Sequence, residues 1–292
     1  MVTKRAIIAS MLRPFIVLTL ATFALLAQKK DNEPFPAYRI IGNVYYVGAN
    51  DITSYLITTP KGHFLVNEGY ENTPPLIKAS VEKLGFKMTD IKYLLNGQAH
   101  ADHIAGQALL KEWTGAQVVS SEGDSAVVEG GGKGDFRWDG ISSYPPVKVS
   151  KRIKDGETLT LGSTALVAHI TPGHTKGCTT WTLQTTEDGK KFDVVIVGGT
   201  TINPGVVLLK NPKYPQIVED YARTWRVLRA LKCDVFLGAH GGYYGMLEKY
   251  ERMTKGEHPN PFIDPDGYAA FVNRSEKNYL DQLSQERAVN AR

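Results

Sequence analysis

NGQAHADH, residues 96–103, brings His100, Asp102 and His103 within four positions of one another. A lone histidine is more often an ordinary core or surface residue, but imidazole and carboxylate donors spaced this closely favour a metal site. Where a third histidine would complete an H-x-H-x-D-H pattern, the sequence has Gln98. The stretch therefore predicts a metal site in which an amide replaces one imidazole.

Strands and helices are predicted to alternate in two successive halves of the chain. In the first half the strand runs are 44–47, 54–58, 64–66, 91–95 and 116–120, with helical patterns over 75–84 and 104–113. In the second half, from Val149, the strand runs are 165–170, 178–184, 192–197 and 234–237, with helices over 217–231 and from Asp266 onward. This order predicts an α/β fold of four layers, with helices outside two central sheets.

Two further histidines follow predicted buried strands and stand beside glycines. His174 lies in the stretch PGHTKG, residues 172–177, and His240 lies in GAHGG, residues 238–242. Glycine lets backbone come close to a site, so both histidines are candidate ligands. The remaining histidines lack this setting and are interpreted as ordinary structural residues. They are His63, His169 and His258.

The first 27 residues predict a secretory signal peptide. Three basic residues precede an uncharged apolar run over residues 15–27, which is shorter than the roughly 20 residues that a spanning helix needs. Cleavage near Ala27 would leave a mature domain, residues 28–292, in the periplasm without a membrane anchor. It would also lower the formal net charge from +4 to +1, so the charge gives no support for nucleic-acid binding.

The cysteines and a glycine-rich stretch carry two further expectations. The only cysteines are Cys178 and Cys233; two separate buried thiols are the preferred interpretation, and a disulfide stays open. The glycine-rich residues 129–134 predict a mobile loop. Together with the segment around Trp138, this loop is expected to fold over a substrate, although simple packing is an equal alternative for Trp138.

Six candidate ligands, taken in order and with their spacing, resemble the metal-site signature of the metallo-β-lactamase superfamily. They are Gln98, His100, Asp102, His103, His174 and His240. Residues 139–146, 173–175, 211–215 and 233–235 resemble, more narrowly, the third subclass of true metallo-β-lactamases. The resemblance implies an αββα sandwich with two zinc sites at the edge of the sheets. Gln98, His100 and His174 would form the first site, and Asp102, His103 and His240 the second.

Most members of this family have histidine where this chain has Gln98, although some members of the third subclass carry glutamine there. An amide oxygen is neutral and suits Zn²⁺ less well than an imidazole nitrogen, so partial occupancy of the first site is expected. The second site keeps the three-ligand pattern of a catalytic zinc and should fill first. One or two zinc ions per chain are therefore expected.

The reaction that the resemblance implies is hydrolysis of the β-lactam amide of penicillins, cephalosporins and carbapenems, and hence antibiotic resistance. Zinc would lower the pKa of bound water to ~7, and Asp102 would orient that water. A helix N-cap ahead of Ile104 is a further possible role for Asp102. By resemblance, Thr200 and Asn203 would contact the carboxylate of the substrate, while a plain strand-end threonine is nearly as good an interpretation of Thr200. The oligomeric state is left open.

Two alternative functions are set against this one. Other members of the superfamily hydrolyse thioesters, lactones or phosphodiesters, and typically place a bridging aspartate after the strand that here reads 194–197. This chain has no Asp or Glu from 194 to 211. A noncatalytic exported metal-binding protein is the second alternative, with Gln98 marking a decayed site, but the other five predicted ligands are intact.

Overall fold

Two β-sheets form the centre of the structure, a computed structural model that describes residues 31–291. The predicted signal peptide lies outside the described residues. The first sheet contains β1 (Tyr38–Ile41), β2 (Val44–Tyr46), β3 (Tyr55–Thr59), β4 (Gly62–Val66), β5 (Ile91–Leu95), β6 (Gln117–Ser121) and β7 (Lys151–Ile153), in sequence order. The second contains β8 (Thr158–Leu161), β9 (Thr164–Ile170), β10 (Thr179–Glu187), β11 (Lys190–Val197) and β12 (Val235–Gly238), in the order β12-β11-β10-β9-β8.

Helices cover the outer faces of both sheets. They are α1 (Pro74–Lys83), α2 (Ala101–Ile104), α3 (Gln107–Thr114), α4 (Glu122–Glu129), α5 (Ile217–Ala230), α6 (Met246–Thr254) and α7 (Pro265–Asn290). Short 3-10 turns lie at Met88–Asp90 and Gly241–Tyr243. Among residues 31–291, no helix is both long enough and apolar enough to cross a bilayer.

Two apolar cores hold these layers together. The smaller core joins the outer face of the first sheet to α1, α3 and α4, with Ile77 and Leu110 packed in the same cluster as Leu94. The larger core lies between the sheets and continues to α5 and α7, where Trp225 is buried. Helix α5 buries residues spaced three and four apart, as expected for an amphipathic helix against a sheet. The predicted αββα sandwich is confirmed.

Strand direction places several loops at one edge of the sandwich. In the first sheet β4, β5 and β6 are parallel, and in the second β11 and β12 are parallel while β9 points the same way. The carboxyl ends of β5, β9, β11 and β12 therefore meet at this edge. Trp181 of β10 donates its indole N–H to the Asn96 carbonyl across the two sheets, at 2.9 Å. The loops after β5, β9 and β12 carry the candidate ligands.

Some predicted elements differ from those observed. The predicted helix over 104–113 is two helices, α2 and α3, because the Gly106 amide between them donates to the Gly69 carbonyl, at 3.1 Å, and not to a carbonyl of α2. Strand β7, assigned to the second half, pairs in parallel with β6 in the first sheet. Asp102 is not a helix N-cap: the N-cap of α2 is His100, and Asp102 lies in the first turn. The residues of a three-residue strand such as β7 do not determine which strand it pairs with. The N-cap position of α2 depends on backbone angles that the sequence does not show.

The cysteines and the glycine-rich loop can also be placed. Cys178 and Cys233 are both buried and free, which confirms two separate thiols. Residues 130–134 form hydrogen-bonded turns at the end of α4, in which Gly132 donates to Val127 and Gly131 accepts from Tyr144. The mobility of this loop stays a prediction.

Candidate metal centre

Asp102, His103 and His240 form a compact group of donor atoms at the sheet edge. One oxygen or nitrogen of each lies within 4.8 Å of the others, an arrangement that could hold a metal ion. Asp102 Oδ2 is 3.1 Å from His103 Nε2 and 3.6 Å from His240 Nε2. The two imidazole planes are nearly perpendicular, at 88°, so their nitrogens approach from different directions. The structure therefore brings together the three residues predicted for the second site.

His100 and His174 form a neighbouring pair, with His100 Nδ1 3.1 Å from His174 Nε2. Gln98, two residues before His100, is buried, and neither of its amide atoms has a hydrogen-bond partner within residues 31–291. Buried polar groups in proteins are nearly always paired, so an unpaired buried amide two residues before His100 needs an explanation. A cation held by the Gln98 oxygen and these nitrogens would supply it.

Outer partners determine which ring nitrogen faces inward in two of the imidazoles, those of His174 and His240. His174 Nδ1 donates to the Thr201 carbonyl at 2.6 Å, and His240 Nδ1 donates to Asp51 Oδ2 at 2.8 Å. His100 Nε2 lies 3.5 Å from Asp135 Oδ2. A neutral imidazole that donates through one nitrogen presents a lone pair at the other, which here points inward. Facing lone pairs repel one another unless they share a cation, so the donor set fits a metal.

Charges and burial set the protonation of the group. Burial alone would raise the pKa of Asp102, but the imidazoles of His103, His240 and His100 outweigh it and hold that pKa well below the usual range. Burial, together with the charge of His100, lowers the pKa of His174 to about 3. Burial also lowers the pKa of His103, against the opposing effect of Asp102. For His240, burial would lower the pKa, but the carboxylates of Asp51 and Asp102 outweigh it and raise that pKa. Because a divalent metal binds an ionised carboxylate and neutral imidazoles, it would compete with a proton at His240.

An open cleft leads to these side chains. Its lining residues are Tyr70, His100, Ala101, Asp102, Trp138, Ile141, Ser142, His174, Thr201, Asn203 and His240. The Arg137 guanidinium carbon lies 4.2 Å from the centre of the Trp138 ring. Ile141 is 67% exposed at the rim of the cleft. The cleft thus combines polar groups at its floor with an apolar wall.

Of the two residues predicted to contact substrate, Asn203 lines the cleft and Thr200 does not. Asn203 lines the cleft, but Thr200 is only 3% exposed, and its hydroxyl has no partner in the described part of the chain. The neighbouring Thr201 lines the cleft instead. A shift of one residue after a strand moves a side chain to the opposite face, and the sequence could not fix that register.

Sequence reasoning missed the residues that orient the imidazoles. Asp51 and Asp135 lie in loops with glycine nearby, which is a signal only for a turn. Asp51 is 189 residues from His240, so no local spacing connects the two. His63 and His169 lie in β4 and β9, and His258 lies in a loop; in residues 31–291 none of the three lines the cleft.

Comparisons with known proteins agree with this geometry. Residues 47–240 match the family model of the metallo-beta-lactamase superfamily, and the chain belongs to that family. The native FEZ-1 metallo-beta-lactamase from Legionella gormanii is 43% identical, with a TM-score of 0.86 over 88% of this chain and 98% of that one. BJP-1 of Bradyrhizobium japonicum, a subclass B3 metallo-beta-lactamase, is 38% identical, with a TM-score of 0.83 over 90% of this chain and 99% of that one. The resemblance to the third subclass is thereby confirmed.

More distant relatives match only a part of the chain. The human mitochondrial persulfide dioxygenase ETHE1 is 27% identical over 128 residues, which are 44% of this chain and 41% of that protein. The chain thus spans less than half the length of this curated relative.

Proposed function

We propose that this protein is a zinc-dependent β-lactamase that hydrolyses the amide bond of penicillins, cephalosporins and carbapenems. One observation carries the proposal. Inward-facing imidazole nitrogens and the Asp102 carboxylate converge on the floor of an open cleft, in a chain that aligns over nearly its whole length with β-lactamases. Such a set suits a hydrolytic metal better than a structural one, because four of the proposed ligands line the open cleft, where a substrate could reach a bound metal.

The proposed ligands fall into two sets. Gln98, His100 and His174 would hold the first zinc, and Asp102, His103 and His240 the second. Zinc in these sites supplies a Lewis acid and a water molecule of lowered pKa. The neutral Gln98 amide makes the first set the weaker one, so we propose one or two zinc ions per chain, with the second set filling first.

The chain's own residues orient the reactants. Asp102 stays ionised because the surrounding imidazoles lower its pKa, so it can accept a hydrogen bond from the attacking water and fix its direction. Thr201 and Asn203 line the cleft edge, and we propose that they contact a substrate carboxylate. We assign this contact to Thr201 rather than to the buried Thr200. Trp138 and Ile141 offer apolar surface to the ring substituents.

We also propose that residues 1–27 are a signal peptide and that the mature chain, residues 28–292, works in the periplasm. The support is the order of basic residues, apolar run and polar boundary in the sequence. In that compartment, hydrolysis of β-lactams would protect cell wall synthesis, which these drugs inhibit. The protein would thereby confer antibiotic resistance. Mass spectrometry of the exported chain would test the cleavage site near Ala27.

The experiment that tests the function measures metal and turnover together. The purified mature chain is analysed for zinc, and the hydrolysis of a penicillin, a chromogenic cephalosporin and a carbapenem is followed before and after chelation and after zinc is restored. We expect turnover that is lost with the metal and regained with it. Bound zinc without hydrolysis of any β-lactam would contradict the proposal, and thioester or lactone hydrolysis would then point to another hydrolase of this superfamily.

A further inference from the structure

Asp124 is a buried carboxylate outside the proposed ligand sets. It lies in the first turn of α4 and is 1% exposed. Its Oδ2 accepts hydrogen bonds from the Ala99 amide at 3.1 Å and the Thr175 hydroxyl at 2.7 Å, and its Oδ1 accepts one from the Gly177 amide at 2.8 Å. These three hydrogen bonds offset part of the cost of burying the carboxylate, although burial still raises its pKa. The carboxylate is therefore fixed in one position.

The donors to Asp124 come from two loops that belong to different sheets. Ala99 stands between Gln98 and His100 in the loop after β5, and Thr175 directly follows His174 in the loop after β9. One carboxylate thus joins the two loops that carry the proposed first-site ligands. The distance between those loops determines how His100 Nδ1 and His174 Nε2 face each other, which they do at 3.1 Å.

The first turn of α4 lies directly on the second of these loops. The Ser121 hydroxyl, the N-cap of α4, donates to the Gly177 carbonyl at 2.6 Å. A Cβ on Gly177 would lie 2.0 Å from Ser121 Oγ, and a Cβ on Gly123 would lie 2.6 Å from the Lys176 carbonyl. Only glycine permits this contact at both positions, so the loop has little freedom to move relative to Asp124.

We propose that Asp124 is a positioning residue for the first metal site, and this inference rests on the proposed function. Its hydrogen bonds hold the Gln98–His100 loop and the His174 loop at the spacing that a shared ion needs. The second set is held differently, since His240 is oriented by Asp51. Because the first set contains no carboxylate, it gains little affinity from charge and depends more on preset geometry. Loss of Asp124 should therefore weaken the first site selectively.

The test uses a Gln98→His parent, in which both sites are measurable, and compares it with the same chain carrying Asp124→Asn. Competition with a chelator gives the zinc affinity of each site, and denaturation gives the stability of the metal-free protein. We expect first-site affinity to fall about 10- to 100-fold, as for other groups that orient metal ligands, and second-site affinity to stay within about twofold. The Asp124→Asn change keeps the size of the side chain, but the amide that it introduces cannot accept all three hydrogen bonds.

Two further variants keep the test decisive. Ser125→Ala removes a buried hydroxyl of the same helix that bonds Ser121 and not the ligand loops, so it should lower stability and leave both zinc affinities unchanged. Thr175→Val removes one hydrogen-bond donor to Asp124 and keeps the carboxylate itself. It should lower the first-site zinc affinity several-fold. This variant tests the role of Asp124 if Asp124→Asn does not fold. Unchanged first-site affinity in the folded variants, or equal loss at both sites, would overturn the inference.

The parent chain separates this inference from the proposed function. A parent that binds two zinc ions but hydrolyses no β-lactam would refute the function, while the titrations would still decide the role of Asp124. A parent that lacks a first zinc site would overturn the inference itself, because there would be no site for Asp124 to position.

Discussion

At the scale of single residues, Gln98 sets the strength of the first site. Its amide is buried and unpaired within residues 31–291, two positions before His100 in the chain. Gln98→His should raise first-site zinc affinity at least about tenfold, because imidazole is the better zinc ligand. Zinc titration of the two proteins measures this, and Gln98→Ala, which removes the donor, should leave only the second site filled. An unchanged titration would refute the assignment of Gln98.

Asp51 should control the second site in a similar way. Its carboxylate accepts a hydrogen bond from His240 Nδ1 at 2.8 Å and another from the Gly242 amide at 2.9 Å, so it fixes the imidazole direction. Asp51→Asn should weaken second-site zinc binding about 10- to 100-fold. Asp139→Asn removes an exposed carboxylate near the cleft and is the charge-matched control. Equal zinc affinities in both variants would mean that only net charge matters.

At the scale of elements, the turn between β9 and β10 determines where His174 sits. Gly173 has a φ of +131°, and a Cβ there would lie 2.7 Å from the ring of Tyr221 on α5. Gly173→Ala should therefore destabilise the protein by more than the roughly 1 kcal/mol of backbone strain, and it should displace His174. Gly189→Ala is the matched control: its φ is +75°, but its Cβ would meet no described atom within 4 Å. Chemical denaturation and zinc titration of both variants test this, and similar losses would contradict it.

The same elements show how far the sequence predicts the structure. Strand β5 begins and ends where the apolar run predicts, because a buried strand is encoded in its own residues. His100 and His103 were predicted from their close spacing with Asp102, and His174 and His240 because each follows a predicted buried strand. Asp51, Asp124 and Asp135 were missed because each acts on a residue distant in the chain. Their hydrogen bonds depend on how the loops of two sheets meet, and no spacing in the sequence records that.

At the scale of the whole molecule, both sheets must stay together for the centre to exist. The first sheet supplies Gln98, His100 and His103, while the second supplies His174 and His240 from the ends of β9 and β12. The larger core lies between these sheets and extends to α7. The metal ligands therefore depend on packing over the outer face of the second sheet, where α6 and α7 meet.

Asp264 links these two helices and makes stability depend on pH. It is the N-cap of α7 and pairs with the buried Lys249 of α6 at 2.6 Å. Burial alone would raise the pKa of Asp264, but the Lys249 ammonium and the Gly267 amide outweigh it and lower that pKa below 3.8. The stability that this charge contributes is therefore present at neutral pH, and it is lost as the pH falls through the lowered pKa.

Asp264→Asn should therefore destabilise the metal-free protein at pH 7 and much less in acid. Asparagine keeps the helix cap but leaves the Lys249 ammonium without its counter-charge, which costs about 1–3 kcal/mol. Denaturant unfolding of both proteins between pH 7 and pH 3, with zinc removed by chelation, gives the difference in free energy at each pH. The exposed Asp266 in the same first turn provides the control, since Asp266→Asn should shift stability only slightly. A difference that stayed constant down to pH 3 would show that the ion pair is not its source. The carboxylate of the unfolded chain takes up a proton as the pH falls through its ordinary pKa of about 3.9, so a contribution from the ion pair must begin to decline there.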